Sequence, residues 1–330
     1  MPANLTPDYL AAEARFRAAE TNEDKLAALD EMYATIPKHK GTEKLRADIK
    51  RRMSKLREKE RISGKHGKHF DEFHIVRDGA GQVVLLGAAN SGKSSLLARL
   101  TAAQPEIAEY PYTTRHPQPG MMAFEDVLVQ LVDMPPISAS YTEKAVIALA
   151  RTADAVALVL DLSEDALLEQ IEEIREELSK SRVVLAGEHT AERDYPVGVA
   201  VRRALVIANK LDCSNAADNL DVLQEFYGNE FGIHAVSAAT GEGIEDTRAA
   251  LFAGLGVIRV YTKVPGKPPD MAKPFTLKKG STLLDFAATV HKDFVHSLRM
   301  AKAWGANKLE GAQIGRDHVL DDGDVVELHA

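Results

Sequence analysis

One stretch of the sequence decides the fold: Gly87-Ala88-Ala89-Asn90-Ser91-Gly92-Lys93-Ser94. It fits the pattern G-x-x-x-x-G-K-[ST], in which a glycine-rich turn and the N-terminus of the next helix surround an anion with backbone amides. An apolar, β-forming segment, residues 82–86, precedes this loop, and a helix-forming segment, residues 95–100, follows it. The order predicts a phosphate-binding loop in which Lys93 reaches the β- and γ-phosphates and Ser94 binds Mg²⁺.

A second motif indicates which base the nucleotide carries. Residues 204–208 read as a buried parallel strand, and Asn209-Lys210-Leu211-Asp212 follows at its C-terminal end, where ligands bind in doubly wound sheets. The Asp212 carboxylate can accept both hydrogens that guanine presents at N1 and its exocyclic amine, a donor pair that adenine lacks. A further apolar segment leads into Ser237-Ala238-Ala239, whose small side chains let backbone amides approach the base. These elements together predict GTP or GDP as the ligand.

The composition is that of an ordinary globular protein. The chain has 330 residues, of which 45% are hydrophobic and 27% charged, and this length suits about two or three domains. No apolar run approaches the ~20 residues that span a bilayer, and the N-terminus lacks a signal-peptide pattern. Cys213 is the only cysteine, which excludes an internal disulfide. We therefore expect a cytoplasmic protein without a membrane partner.

Positive charge is concentrated in one segment of this acidic chain. The formal net charge is −8, whereas residues 38–68 contain 13 lysines and arginines against 4 acidic residues. An excess of one sign, rather than alternating pairs, indicates a polyanionic partner. We expect RNA rather than DNA; the alternative explanation of such a run is a solvated helix face.

Changes in pattern divide the chain into three predicted domains. Residues 1–68 read as a helical hairpin with a basic second half, because apolar residues recur every three or four positions on both sides of a break. Strands and helices alternate over residues 69–256, which predicts an α/β domain with a doubly wound, mostly parallel sheet and a small insertion at 182–203. Residues 257–330 predict a β-grasp domain, in which Ser281 caps a helix.

Several further segments carry a family resemblance: residues 110–114, 132–133, 150–154, 209–212 and 258–263, and, near the C-terminus, 266–270 and 315–320. They resemble the Obg-type GTPases, and within that group the developmentally regulated GTP-binding protein (DRG) branch, whose C-terminal part is a TGS domain. The resemblance implies a P-loop NTPase fold for the central domain. It also implies a cytoplasmic GTPase that works with the ribosome or ribosomal RNA, and it allows for an accessory protein at the TGS domain.

The resemblance assigns roles to individual residues. Thr114 matches the switch I threonine that contacts Mg²⁺ and the γ-phosphate, with Thr113 as the competing candidate. Asn90 stands where K⁺-stimulated relatives help to hold the cation, or else it stabilises the turn. Lys93, Thr114 and Asn90 are the expected catalytic residues, and Ser94, Thr114 and Asp133 the expected Mg²⁺ ligands. The whole predicted nucleotide site comprises Gly87, Asn90, Ser91, Gly92, Lys93, Ser94, Ser95, Thr114, Asp133, Asn209, Lys210, Asp212, Ser237, Ala238 and Ala239.

The chain departs from the family at the switch II motif. Asp133-Met134-Pro135-Pro136 stands where the pattern is Asp-x-x-Gly. Pro136 has no N–H, so the usual backbone hydrogen bond to the γ-phosphate cannot form. Ile137 follows, where many GTPases place a glutamine that aligns the attacking water. We expect a slow GTPase switch; the alternative is a hydrolysis-deficient, GTP-regulated adaptor that binds RNA or the ribosome.

Overall fold

The structure, a computed structural model, describes residues 7–18, 22–36, 46, 49–54, 75–101, 116–137, 144–190, 194–305 and 310–329. The chain divides into two compact units, residues 1–74 and 75–330. No described helix is both long and apolar enough to cross a bilayer.

The described part of the N-terminal unit has one helical segment more than the sequence predicts. Helices α1 (Pro7–Ala18) and α2 (Asn22–Thr35) are followed by a helical segment at residues 49–54. All three contribute to one apolar core. The pattern of α1 is weak because alanines take many of its positions, so the sequence interpretation began the hairpin at α2. Residues 37–45 and 55–74, which hold most of the predicted basic segment, lie outside the described residues.

The second unit begins with the predicted α/β domain, and this fold class is confirmed. Its sheet has the strand order β2-β3-β1-β4-β6-β5, with β7 paired to β6; β2 is antiparallel to β3 and the other pairs are parallel. The strands are β1 (Gln82–Leu86), β2 (Gln118–Phe124), β3 (Val127–Asp133), β4 (Ala155–Asp161), β5 (Val183–Ala186), β6 (Ala200–Asn209) and β7 (Ile233–Ala235). The helices are α3 (Lys93–Leu100), α4 (Lys144–Thr152), α5 (Leu167–Lys180), α6 (Ala216–Tyr227) and α7 (Ile244–Leu255).

Burial explains why the central strands are continuous apolar runs. Every residue of β1 and β4 is buried, as expected for parallel strands that are covered on both faces. On one face, Leu96 and Leu100 of α3 and Leu251 of α7 pack in a common core with Val83 and Leu85 of β1. The carboxyl ends of the strands are thereby fixed at one edge of the sheet, where the phosphate-binding loop leaves β1.

The segment predicted as an insertion contributes a strand to this sheet. Strand β5 pairs in parallel with the first four residues of β6, from Val183 with Ala200 to Ala186 with Arg203. The sequence interpretation started β6 at Ala204, because Arg202 and Arg203 interrupt its apolar run. Residues 182–203 therefore include strand β5, at the edge of the main sheet, and the first four residues of β6.

The C-terminal part has the predicted β-grasp architecture. Its sheet has the order β11-β10-β12-β8-β9, with β12 parallel to β8 and the other pairs antiparallel. The elements are β8 (Val257–Lys263), β9 (Pro269–Lys278), α8 (Leu283–Val290), α9 (Phe294–Ser297), β10 (Met300–Trp304), β11 (Ala312–Ile314) and β12 (Asp324–His329). Leu283, Phe286 and Ala287 of α8 pack on the sheet.

The predicted cap of α8 was wrong by one residue. Thr282, not Ser281, is the N-cap: its hydroxyl accepts the Asp285 backbone N–H, and the Asp285 carboxylate accepts the Thr282 N–H at 2.8 Å. This reciprocal capping box satisfies two amides that have no partner within the helix. The hydrogen bonds from Thr282 also lower the pKa of Asp285.

Candidate nucleotide-binding site

The loop between β1 and α3 has the backbone conformation that its glycines permit. Gly92 has φ +91, and a Cβ there would lie 2.1 Å from Nδ2 of Asn209. A Cβ at Gly87 would lie 2.3 Å from the Val159 carbonyl oxygen. Asn90 also has a positive φ, 62°, and is exposed. Glycine at positions 87 and 92 therefore lets the loop approach the neighbouring strands closely.

Lys93 lies beneath this loop. Its side chain is buried, and Nζ donates to the carbonyl oxygens of Gly87 at 3.0 Å and Ala88 at 2.7 Å. Burial lowers the pKa of Lys93 to about 8, and the negative charge of Asp133 opposes this effect. An anion bound at the loop would therefore stabilise the charged form of this buried ammonium group.

The structure brings two of the predicted Mg²⁺ ligands together. Asp133 ends β3, in register with Leu85 of β1, and is fully buried. The Ser94 hydroxyl donates to its Oδ2 at 2.5 Å. A hydroxyl and a carboxylate on neighbouring elements suit Mg²⁺, which takes few protein ligands and completes its shell with phosphates and water. Thr114 and its alternative Thr113 lie outside the described residues.

Asn209 joins the phosphate-binding loop to the predicted base-binding segments. Its side-chain amide donates to the Ser91 carbonyl at 3.0 Å and accepts the Ala238 N–H at 3.1 Å. Asn209 is buried, and Ser91 is buried too. One side chain thus fixes three segments that are far apart in sequence.

Lys210 and Asp212 follow Asn209 in a tight turn. Lys210 has φ 66 and forms an ion pair with Asp161, the last residue of β4. Asp161 also accepts the N–H and the hydroxyl of Ser163. Asp212 is exposed, and its Oδ1 accepts the hydroxyl of the buried Ser237 at 2.5 Å. These contacts fix the orientation of the carboxylate that the sequence assigns to guanine.

A cavity of about 500 Å³ opens between these segments. It is lined by Gly92, Ser95, Ala98, Arg99, Asn209, Lys210, Asp212, Ala238 and Ala239. The predicted base-binding residues, except the buried Ser237, therefore line the same cavity as Gly92 and Ser95 of the phosphate-binding segment. The volume suits a small-molecule ligand.

Sequence reasoning missed three residues of this site. Asp161 could have been found from its position at the end of a buried strand, next to β6. Ala98 and Arg99 line the cavity from α3, and the Arg99 guanidinium lies 3.5 Å from the Ala239 carbonyl. No sequence signal marks Arg99, because only the packing of α3 places it beside the base-binding loop.

The switch II segment packs against the phosphate-binding loop. Met134, Pro135 and Ile137 are buried, and the Ile137 N–H donates to the Gly87 carbonyl at 3.4 Å. Pro136 is half-buried. The segment thus reaches the loop through the residue after Pro136.

Comparison with known families agrees with this geometry. Residues 82–188 match the model described as "50S ribosome-binding GTPase", and residues 258–330 match the TGS domain. The chain is thus similar to a GTPase domain of this family over residues 82–188 and to a TGS domain over residues 258–330. This similarity agrees with the GTP-binding site that the two sequence motifs predict.

Individual relatives extend the likeness to nearly the whole chain. An uncharacterised GTP-binding protein of Methanocaldococcus jannaschii is 26% identical over 93% of this chain and 92% of its own. "Ribosome-interacting GTPase 1" of Saccharomyces cerevisiae is 26% identical over 93% of this chain and 99% of its own. "Developmentally-regulated G-protein 2" of Arabidopsis thaliana is 27% identical over 92% of this chain and 90% of its own. These names agree with the DRG-type resemblance predicted from the sequence.

Proposed function

We propose that this chain is a Mg²⁺-dependent GTPase that acts as a nucleotide-controlled switch in contact with the ribosome or ribosomal RNA, in the cytoplasm. One observation carries the proposal: Asn209 links the loop of Lys93 and Ser94 to the segments of Asp212 and Ala238 in one site. A guanine nucleotide is long enough to occupy both halves, with its phosphates at the loop and its base at Asp212.

The side chains of the loop supply the phosphate contacts. Lys93 exchanges its hydrogen bonds to the Gly87 and Ala88 carbonyls for contacts with the β- and γ-phosphates. The negative phosphates stabilise the charged ammonium group, which burial destabilises. Ser94 and Asp133 would hold Mg²⁺, with Thr114 as the proposed third ligand. The bound metal would neutralise part of the negative charge on the phosphates. Hydrolysis then depends mainly on positioning and electrostatics.

Asp212 gives the site its preference for guanine. Its carboxylate, held by Ser237, accepts hydrogen bonds from N1 and the exocyclic amine. Adenine would not supply this pair of donors to the carboxylate, at a cost of about 1–3 kcal/mol relative to guanine. The amides of Ala238 and Ala239 border the same cavity and are the proposed donors to the base, the Ala238 N–H in exchange for its hydrogen bond to Asn209.

Turnover is proposed to be slow and stimulated by K⁺. Pro136 removes one donor to the γ-phosphate, and Ile137 supplies no polar group to align water. Asn90 is exposed at the loop with a positive φ, which suits the proposed contact to a monovalent cation, and a turn-stabilising role is the alternative. Phosphate release measured in K⁺ and in Na⁺ separates these two roles.

Pro136 also favours a second candidate, a GTP-regulated adaptor without meaningful hydrolysis. The two candidates differ in one measurement, single-turnover release of phosphate from bound GTP with and without ribosomes. Release that ribosomes or K⁺ accelerate supports the enzyme, and no release under any condition supports the adaptor. Pro136→Gly tests the cause, since unchanged turnover would show that this proline is not the limiting feature.

The partner proposal rests on the relatives and on charge. The yeast relative is named a ribosome-interacting GTPase, and residues 38–68 carry the basic excess that suits RNA. The TGS domain is the proposed contact for an accessory protein. Titration with labelled GTP and ATP tests the nucleotide proposal first. Equal affinity for the two nucleotides, or no binding of either, would contradict it.

A further inference from the structure

Four arginines form a continuous cluster at the end of the sheet opposite the nucleotide site. They are Arg77, Arg151, Arg182 and Arg202. Arg202 lies in the first part of β6, paired with Leu185 of β5, and its Nε donates to the Arg151 carbonyl at 2.7 Å. Arg77 precedes β1 and pairs with Asp154, the residue before β4, at 3.2 Å. The cluster therefore lies where β1, β4 and β6 begin, whereas the nucleotide site lies where they end.

Gly198 connects the remaining members. Arg151 Nη2 donates to the Gly198 carbonyl at 2.7 Å, and the position of a Cβ on Gly198 is 3.5 Å from Nη1 of Arg182. Arg151 also donates to the carbonyls of Ser181 and Arg182. Backbone carbonyls thus fix Arg151 and Arg202, whereas the side chains of Arg77 and Arg182 are exposed.

The cluster concentrates positive charge. Burial lowers the pKa of Arg202, and the neighbouring charges of Arg77 and Arg151 lower it further, against the opposing effect of Asp154. Among the ion pairs of the described residues, Asp154 is the carboxylate that pairs with a member of this cluster, Arg77. Asp154 also accepts the Gln82 N–H. Like charges held together repel each other, and a bound polyanion would remove this repulsion.

We propose that these four arginines form a docking surface for the phosphate backbone of RNA. Guanidinium groups bind phosphate oxygens in pairs, which makes arginine suited to a chain of phosphates. Arg77 and Arg182 contact the phosphates, while the fixed Arg151 and Arg202 contribute positive potential behind them. The inference rests on the proposed RNA association and adds the surface that carries it, apart from residues 38–68.

The test is a salt series with the full chain and a fluorescein-labelled RNA hairpin. Arg77→Gln/Arg182→Gln is expected to bind more weakly and to lower the slope of log affinity against log salt by about 2, about 1 for each phosphate contact. Both side chains are exposed, and single surface ion pairs contribute little to stability. GTP binding is expected to stay unchanged.

A matched control removes the same charge elsewhere. Lys292 and Arg299 are exposed residues of the C-terminal domain, on segments that do not contribute to the cluster. Lys292→Gln/Arg299→Gln is expected to keep the wild-type slope. An equal loss in both double variants would show a general charge effect and overturn the assignment.

The remaining outcomes separate this surface from the proposed function. RNA binding that Arg77→Gln/Arg182→Gln leaves unchanged overturns the surface alone. A wild-type chain that binds GTP but no RNA at any salt overturns the surface together with the RNA association, and leaves the GTPase standing. Polyglutamate that binds the cluster more tightly than the hairpin would assign it to an acidic protein instead.

Discussion

Lys93 illustrates how a single residue balances burial against charge. Burial of its ammonium group lowers the pKa from 10.5 to about 8, although the negative charge of Asp133 acts in the opposite direction. The group is therefore charged at neutral pH but loses its proton within an accessible range. A triphosphate placed beside it favours the charged form and raises this pKa.

The binding of GTP should consequently be coupled to protonation of Lys93. Below pH 8 the group is charged with and without nucleotide, so affinity is constant. Above pH 8 the free protein loses the proton that the complex keeps, and affinity falls by up to about tenfold per pH unit. Calorimetry near pH 8.5 in buffers of different ionisation enthalpy should show proton uptake; uptake that persists in Lys93→Met would assign it to another group.

Asp212 should set the choice of base. Asp212→Asn replaces one acceptor oxygen with a donor, and we expect GTP to bind roughly 10- to 100-fold more weakly, in line with a loss of about 1–3 kcal/mol. The preference over ATP should narrow accordingly in a competition assay. Asp221→Asn, on the exposed face of α6, is the control and should change neither affinity. A GTP preference that Asp212→Asn leaves intact would contradict this role.

At the scale of elements, the site depends on how closely loops approach each other. The loop between β1 and α3 contacts the turn after β6 through Asn209, and Gly92 leaves room for that contact. The capping box of α8 shows the same dependence on local geometry, since Ser281 and Thr282 are both residue types that cap helices and serine is slightly the better of the two. The backbone of the described structure decides between them.

Two glycines with the same φ angle allow the steric effect of an added side chain to be measured apart from the cost of the backbone conformation. Gly92 has φ +91 and a neighbour 2.1 Å from the position of a Cβ, whereas Gly280 has φ +90 and nothing within 4 Å. Gly280→Ala should cost about 1–2 kcal/mol of unfolding free energy and leave GTP binding unchanged. Gly92→Ala should bear the same cost and also displace Asn209, with loss of GTP binding. Similar nucleotide affinities in a fluorescence titration would refute the role of close approach.

At the scale of the whole second unit, one arginine joins the TGS domain to the GTPase domain. Arg259 of β8 is 12% exposed in its side chain and pairs with Glu125, Asp126 and Asp322. Its guanidinium also lies 5.2 Å from the centre of the Phe252 ring. Residues 125–126 form the turn between β2 and β3, and β3 ends at Asp133. The TGS domain therefore rests on the hairpin that leads to the switch II segment.

Removal of this arginine should loosen the two domains. Arg259→Gln leaves partly buried carboxylates without their partner, and we expect a loss of about 1–2 kcal/mol in unfolding free energy, since Glu125 and Asp322 are partly exposed. Limited proteolysis near residues 256–263 should become faster. Arg299→Gln, an exposed arginine of the same domain, is the control. Unchanged proteolysis and unfolding in Arg259→Gln would show that other contacts hold the domains together.

The sequence by itself determined the fold class and the two ends of the site. Residues 87–94 and 209–212 have fixed chemistry at fixed spacing, and the apolar runs of β1 and β4 are long enough to identify buried parallel strands. The proline at 136 and the basic excess at 38–68 are likewise visible without coordinates. The local pattern is sufficient where a single short segment contains all the residues that a feature needs.

Only the tertiary structure decided which distant groups meet. The bond from Asn209 to Ser91, the pair of Lys210 with Asp161, the place of Arg99 and the arginine cluster all join segments far apart in the chain. The weakly patterned α1 and the edge strand β5 also became clear only from their packing partners. Such contacts are set by strand order and helix packing, which depend on the burial of many side chains at once rather than on any local run of residues.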